Sequence, residues 1–139
     1  MPTHCIFCNT QDDALIYRDE DGIVVVDDPV RPGHVLVGAR VHSENLTDLT
    51  AQDAAGLMRL ANRVGKRIIA LTGAQKLYVT AIGDKDKHFH VHLLPKFVDE
   101  PNLGPHIFGP AGWISFLPSA PNVNDLHKIN DGLRKALTI

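Results

Sequence analysis

The chain has 139 residues, 44% hydrophobic and 22% charged, the size and make-up of one globular domain with room for a core. Fourteen Lys and Arg against sixteen Asp and Glu leave a net charge of −2, which excludes a basic surface built to coat nucleic acid or an anionic membrane. No apolar run approaches the ~18–20 residues of a membrane span, and the first residues lack the basic and apolar regions of a signal peptide, so the expected location is the cytoplasm.

In chain order, Cys5-x-x-Cys8 comes first. Two thiols at this spacing are half of a tetrahedral zinc site or, alternatively, a redox pair. A thioredoxin-like pair opens a helix after a strand, whereas this one precedes the first expected strand. Leu15–Tyr17 and Ile23–Val26 read as a hairpin around Asp19-Glu20-Asp21-Gly22, and His34–Val37 as a third strand after the break Pro29-Val30-Arg31-Pro32-Gly33. Thr50-Ala51-Gln52-Asp53 has the form of a capping box, and Leu57, Leu60, Val64, Ile68 and Leu71 follow at helical spacing until Gly73. Lys76–Ile82 and His88–Leu94 form a second hairpin around the charged turn Gly83–Lys87. Residues 96–121 are rich in Pro and Gly and read as irregular, and residues 122–139 hold a C-terminal amphipathic helix on Leu126, Ile129, Leu133 and Leu137. The expectation is a single domain over residues 1–139, of α+β class, with about five antiparallel strands, one long central helix and a C-terminal helix.

Eight histidines are the unusual feature of the composition, and three of them alternate in His88-Phe89-His90-Val91-His92. On a strand, side chains alternate in direction, so His88, His90 and His92 share one face while Phe89, Val91 and Leu93 take the other. Imidazoles lining a site offer nucleophiles, proton donors and metal ligands. His88 and His92 lie ~13 Å apart along a strand, too far to share one ion whose ligands sit within ~4 Å of each other. The three therefore have divided roles.

His88-x-His90-x-His92 followed by two apolar residues, with Pro29-x-x-Pro32-Gly33-His34-x-Leu36-Val37 upstream, resembles the histidine triad (HIT) family, over Cys5 to Lys96. The resemblance implies a compact α+β protomer, a homodimer, and nucleotide chemistry. His90 would attack the α-phosphorus to give a nucleotidyl-histidine that water hydrolyses, and His92 and His34 would hold the phosphate oxygens or protonate the leaving group, with no metal in the chemical step. A neutral imidazole suits this role, being nucleophilic near pH 7 and able to leave again. The nucleoside would lie against Ile23, Val25 and Leu36, with Asp27 or Asp28 accepting from ribose hydroxyls. The resemblance extends to bacterial relatives with an N-terminal zinc half-site, in which His42 and His88 would complete a structural zinc site with Cys5 and Cys8.

Many HIT hydrolases carry Gly-Gln-Ser/Thr before the triad and an asparagine on the preceding strand. Here stand Gly83-Asp84-Lys85-Asp86-Lys87 and Thr80. Lys85 or Lys87 can offset the charge that Asp84 and Asp86 present to a phosphate. The departure leaves two functions to separate: an α-phosphate hydrolase or transferase acting on a nucleoside phosphoramidate, dinucleoside polyphosphate or related adenylylated compound, and a zinc-stabilised nucleotide-binding or adaptor module with little turnover. Trp113 in the irregular segment reads as a packing residue, and His4, His106 and His127 carry no assigned role.

Overall fold

The computed structural model describes residues 5–10, 13–108 and 123–138. Five strands, β1 (Leu15–Arg18), β2 (Gly22–Val25), β3 (Val35–Ala39), β4 (Lys76–Thr80) and β5 (His90–Lys96), form one antiparallel sheet in the order β1-β2-β3-β5-β4. Between β3 and β4 runs α1 (Ala51–Thr72), and α2 (Val123–Leu137) closes the described chain. The α+β architecture, both hairpins and both helices are those expected. Among the described residues, no helix is long and apolar enough to cross a membrane.

The capping box holds α1 at its start, where the Asp53 backbone N–H donates to Thr50 Oγ1 at 3.0 Å. At its end Gly73 takes a left-handed φ of 76° and returns its N–H to Ile69 O, the αL cap that a side chain would strain. Leu57, Leu60, Val64 and Ile68 pack against Val24, Val35, Val37, Val91 and Leu93 from one side of the sheet, with Leu133 and Leu137 of α2 completing the cluster. Leu71 departs from the expected buried stripe: it is 41% exposed and abuts Gly132 of α2. That glycine lets the two helices approach.

The opposite sheet face is also buried, because the N-terminal segment folds across it. Cys5 and Phe7 pack with Ile23, Val25 and Leu36 in a second cluster. Gly38 makes this possible, since a Cβ there would lie 2.3 Å from Phe7 Cδ1. A glycine inside a strand marks such a close approach. Gly38→Ala is therefore expected to cost roughly 1–3 kcal/mol through overpacking, read as a lower midpoint in a urea titration at unchanged slope.

Each strand shifts by one or two residues from its expected limits, and two of the shifts border the histidine motif. β4 ends at Thr80 rather than Ile82, and β5 begins at His90 rather than His88. Ahead of β5, the Phe89 N–H donates to Ser43 O at 2.6 Å while its carbonyl accepts from the Ala39 N–H at 2.9 Å, so residue 89 is tied to the loop after β3. Past β5, the segment expected to be irregular is partly ordered by a short 3₁₀ turn at Gly104–Phe108. A bidentate pair between Arg31 and Glu100, with Nη2–Oε2 at 2.5 Å, ties it to the loop ahead of His34. Gly112 and Trp113 lie outside the described residues, as does His4.

Candidate functional site

The loop before β3 and the start of β5 bring His34, His90 and His92 to one cleft of about 310 Å³, within the range of small-molecule sites. Hydrogen bonds assign their tautomers in sequence. The Val30 N–H donates to His34 Nδ1 at 3.0 Å, so neutral His34 carries its proton on Nε2. That Nε2–H donates to His92 Nδ1 at 3.0 Å, which leaves His92 a proton on Nε2. His90 is set the other way: its Nδ1–H donates to the His88 carbonyl at 2.7 Å, and its Nε2 keeps a lone pair. One ring thus has an unprotonated nitrogen and its neighbour, with centroids 5.1 Å apart, an N–H donor.

Burial keeps the outer two rings neutral. It pushes His34 down to about 3, helped by the neighbouring His92, and His92 down to about 4, helped by His90. The unfolded chain, with ordinary histidines near 6.5, therefore binds protons the folded chain refuses between pH 6.5 and about 4. These two rings leave stability flat above pH 6.5 and lower it as the pH drops through that window. The slope is up to about 1.4 kcal/mol per pH unit for each ring. Chemical denaturation at stepped pH checks this, and His34→Gln should flatten the slope by up to one proton's worth.

Asp27, Asp28, Asp84, Lys85, Asp86 and Leu36 share the cleft with the histidines. Lys85 Nζ lies 3.0 Å from Asp28 Oδ2 and 3.6 Å from Asp27 Oδ2, so its charge is engaged by these two carboxylates. Burial, then the nearby Asp27, hold the Asp86 carboxyl above its usual range. Ile23 and Val25, expected against the nucleoside, sit with Phe7 and Cys5 and do not line this cleft. They seat the N-terminal segment instead, and of the three apolar candidates Leu36 reaches the cleft. Thr80, cross-strand from His92, has a buried hydroxyl without a hydrogen-bond partner.

Beside the cleft, one ligand atom each from Cys5, Cys8, His42 and His88 lies within 4.8 Å of the others. Cys5 Sγ is 3.4 Å from His88 Nδ1, Cys8 Sγ is 3.5 Å from His42 Nδ1 and 3.6 Å from His88 Nδ1, and the two Nδ1 atoms are 3.1 Å apart. A zinc tetrahedron has edges of about 3.6 Å from sulfur to nitrogen and about 3.3 Å between nitrogens, so the four residues fit the ion. The His88 Nε2–H donates to Ala39 O at 2.7 Å, which aims its Nδ1 lone pair at the cluster. Burial favours the neutral His88 ring that a ligand must be. With no cation, burial and the Cys5 thiol push the Cys8 thiol up to about 11, so a metal entering there would have to displace protons.

Two residues with a part in this geometry went unmarked in the motifs. Phe7 lies between the cysteines with its ring centroid 4.9 Å from His88 and 5.1 Å from His90, over Gly38. An interior strand glycine was the available signal for that contact. His106 falls in the 3₁₀ turn and His127 on the exposed side of α2, both away from the cleft.

The family profile of the HIT domain matches residues 9–99. An uncharacterized HIT-like protein of Saccharolobus solfataricus is 32% identical over 112 residues, 71% of this chain and 78% of that protein. The bifunctional bis(5'-adenosyl)-triphosphatase/adenylylsulfatase FHIT of Arabidopsis thaliana is 33% identical over 73 residues, 49% of this chain and 41% of that longer protein. Among solved structures, a zinc-bound histidine triad family protein from Mycobacterium smegmatis superposes with a TM-score of 0.71 at 22% identity, covering 97% of this chain and 94% of that one.

Proposed function

Because the chain belongs to the HIT family, we propose that it is a nucleotide hydrolase or nucleotidyltransferase that acts at an α-phosphate through His90, on a domain cross-linked by zinc at Cys5, Cys8, His42 and His88. The observation that carries this reading is the opposed tautomers of His90 and His92. A nucleophile needs a lone pair on the cleft side, and the neighbouring ring offers a proton or hydrogen bond to the oxygen or nitrogen that departs.

In the first step His90 Nε2 forms a bond to the α-phosphorus as the bond from phosphorus to the leaving group breaks. The leaving atom takes its proton from solvent, and the Nε2–H of neutral His92 is set to donate a hydrogen bond that stabilises the negative charge developing there. The phosphorylated ring is cationic, and the His88 carbonyl, already accepting from His90 Nδ1, stabilises that charge. His34, donating to His92 Nδ1, keeps that ring in the tautomer with its proton on Nε2. In the second step water adds to phosphorus and gives a proton to solvent, the bond from phosphorus to Nε2 breaks to return neutral His90, and the nucleoside monophosphate is released. Asp27 and Leu36 line the same cleft and are the proposed nucleoside contacts; Lys85 acts there through Asp27 and Asp28. Zinc supplies a closed four-ligand cross-link and takes no part in the chemical step.

The proposed assembly is a homodimer, which the place of β4 at the sheet edge among the described residues and the half-exposed Val79 and Ile82 support, and the proposed compartment is the cytoplasm. Asp84 and Asp86 in the cleft favour a second reading, a binding module with little turnover, because they set negative charge where phosphate would sit. Quenching the protein during reaction with adenosine phosphoramidate or diadenosine tetraphosphate separates the two. Mass spectrometry is expected to find one adenylyl group on the peptide carrying His90. Tight binding of both compounds with neither adduct nor turnover would establish the module.

A further inference from the structure

From the packing around the nucleophile, and resting on the reading of His90 as that nucleophile, we infer that Phe7 is a positioning residue for the reaction. Phe7 is 0% exposed and His90 is 3% exposed, so both rings are held by protein on nearly every side. The Phe7 ring tilts 36° to the His90 ring with centroids 5.1 Å apart, and 35° to the His88 ring at 4.9 Å. It rests on Gly38, the β3 residue registered directly opposite His90, and fills the space that a side chain at position 38 would take. His90 is thereby bounded by Phe7, by the His92 ring, and by the His88 carbonyl that receives its Nδ1–H.

Each boundary removes a different freedom. The hydrogen bond selects the nitrogen that carries the proton, but alone it leaves the ring free to tilt about that bond. A flat aromatic face beside the imidazole resists the tilt and a turn about χ2 that would exchange Nδ1 for carbon. Either motion would move the Nε2 lone pair off the line to phosphorus. A misplacement of about 1 Å costs roughly 10²-fold in rate. The sequence position matters too: Phe7 sits between Cys5 and Cys8, whose sulfurs join His42 and His88 in the ligand cluster, so the backbone that carries the ring is pinned on both sides. The N-terminal segment, in this account, orients the nucleophile as well as covering the sheet.

The test uses the full-length, metal-loaded protein with Phe7→Leu, which keeps apolar bulk and removes the flat face. Three quantities are read: metal content, single-turnover adenylyl transfer to His90 together with KM, and the ¹⁵N imidazole signals of His90. The expected result is unchanged metal content and KM, a transfer rate lower by roughly 10–100-fold, and His90 signals shifted from the single Nδ1–H tautomer towards a mixture. A rate within about twofold of the parent with an unchanged tautomer overturns the inference and leaves Phe7 a packing residue. Should Phe7→Leu lose metal or fold poorly, Phe7→Met, which fills the space with a flexible chain, is read for the same tautomer shift. A parent protein that forms no adduct refutes the nucleophile reading by itself, while the imidazole signals still report whether Phe7 orients the ring.

Discussion

Replacing His90 with glycine is expected to lower turnover by about 10⁴-fold or more, and added imidazole is expected to restore part of the loss. The magnitude follows from what the variant keeps. His92 and His34 still hold one another and the rest of the cleft is unchanged, so on the proposed reading the deficit is that of the missing bond from nitrogen to phosphorus. The glycine also removes the ring between Phe7 and His92, leaving a buried slot of imidazole size beside the His88 carbonyl. A free imidazole seated there can donate one N–H to that carbonyl and attack with its other nitrogen. Nucleotide binding should change by no more than a few-fold, because His90 contributes its lone pair chiefly in the transition state. Steady-state rates with and without imidazole, beside calorimetric binding, check both parts. Turnover retained in the glycine variant would remove His90 from the reaction, whereas His92→Ala should lose only the smaller factor of a hydrogen-bond donor to the leaving group, about 10²–10³.

The strands and helices were legible because their signals are local. The short apolar runs of β2 and β3 between turn residues, the Thr50 cap and the apolar spacing of α1 each act within a few residues, and the structure keeps them. What local signals miss is what folds across the sheet. The family resemblance implies Ile23, Val25 and Leu36 as a nucleoside wall, and in the sheet all three do share the face of the histidines. The N-terminal segment returns over that face and buries the first two under Phe7, and nothing in the strand pattern carries that information. Lys85 does line the cleft, and the fold adds what the residue pattern does not display: Asp27 and Asp28 lie within 3.6 Å of its ammonium, in an exposed ion pair.

The division of the triad fared better because it rested on distance. Spacing along a strand separates His88 from His92, and in the structure His88 leaves the strand, turning its ring to the cysteines while its carbonyl receives His90 Nδ1–H. The tautomers themselves depend on backbone atoms of Val30 and His88, which a residue pattern does not display. Gly38 was readable in hindsight: a glycine inside a strand otherwise rich in Val and Leu signals close approach, though not by what.

Removing the metal is the second large effect, expected to lower the thermal midpoint by roughly 10–15 °C. The cluster joins three separate parts of the chain: the N-terminal turn through Cys5 and Cys8, the loop after β3 through His42, and the approach to β5 through His88. At free metal about 1,000-fold above its dissociation constant, linkage to folding contributes about 4 kcal/mol. A chain of 139 residues has an unfolding entropy of about 0.3 kcal/mol/K, which converts that energy to the stated shift. Calorimetric scans with and without chelator, alongside elemental analysis showing about one zinc per chain, are the measurement. In Cys8→Ser the chelator should have little further effect, because the same linkage is already lost. The gap between loaded and chelated protein should narrow as the pH falls, since protons compete for the thiols. Equal midpoints, no bound metal and two freely titratable thiols would instead return Cys5-x-x-Cys8 to the redox reading. The chelated protein should also lose adenylyl transfer, because His88 gives its ring to the cluster and its carbonyl to His90 Nδ1, so one residue cannot leave the first without disturbing the second.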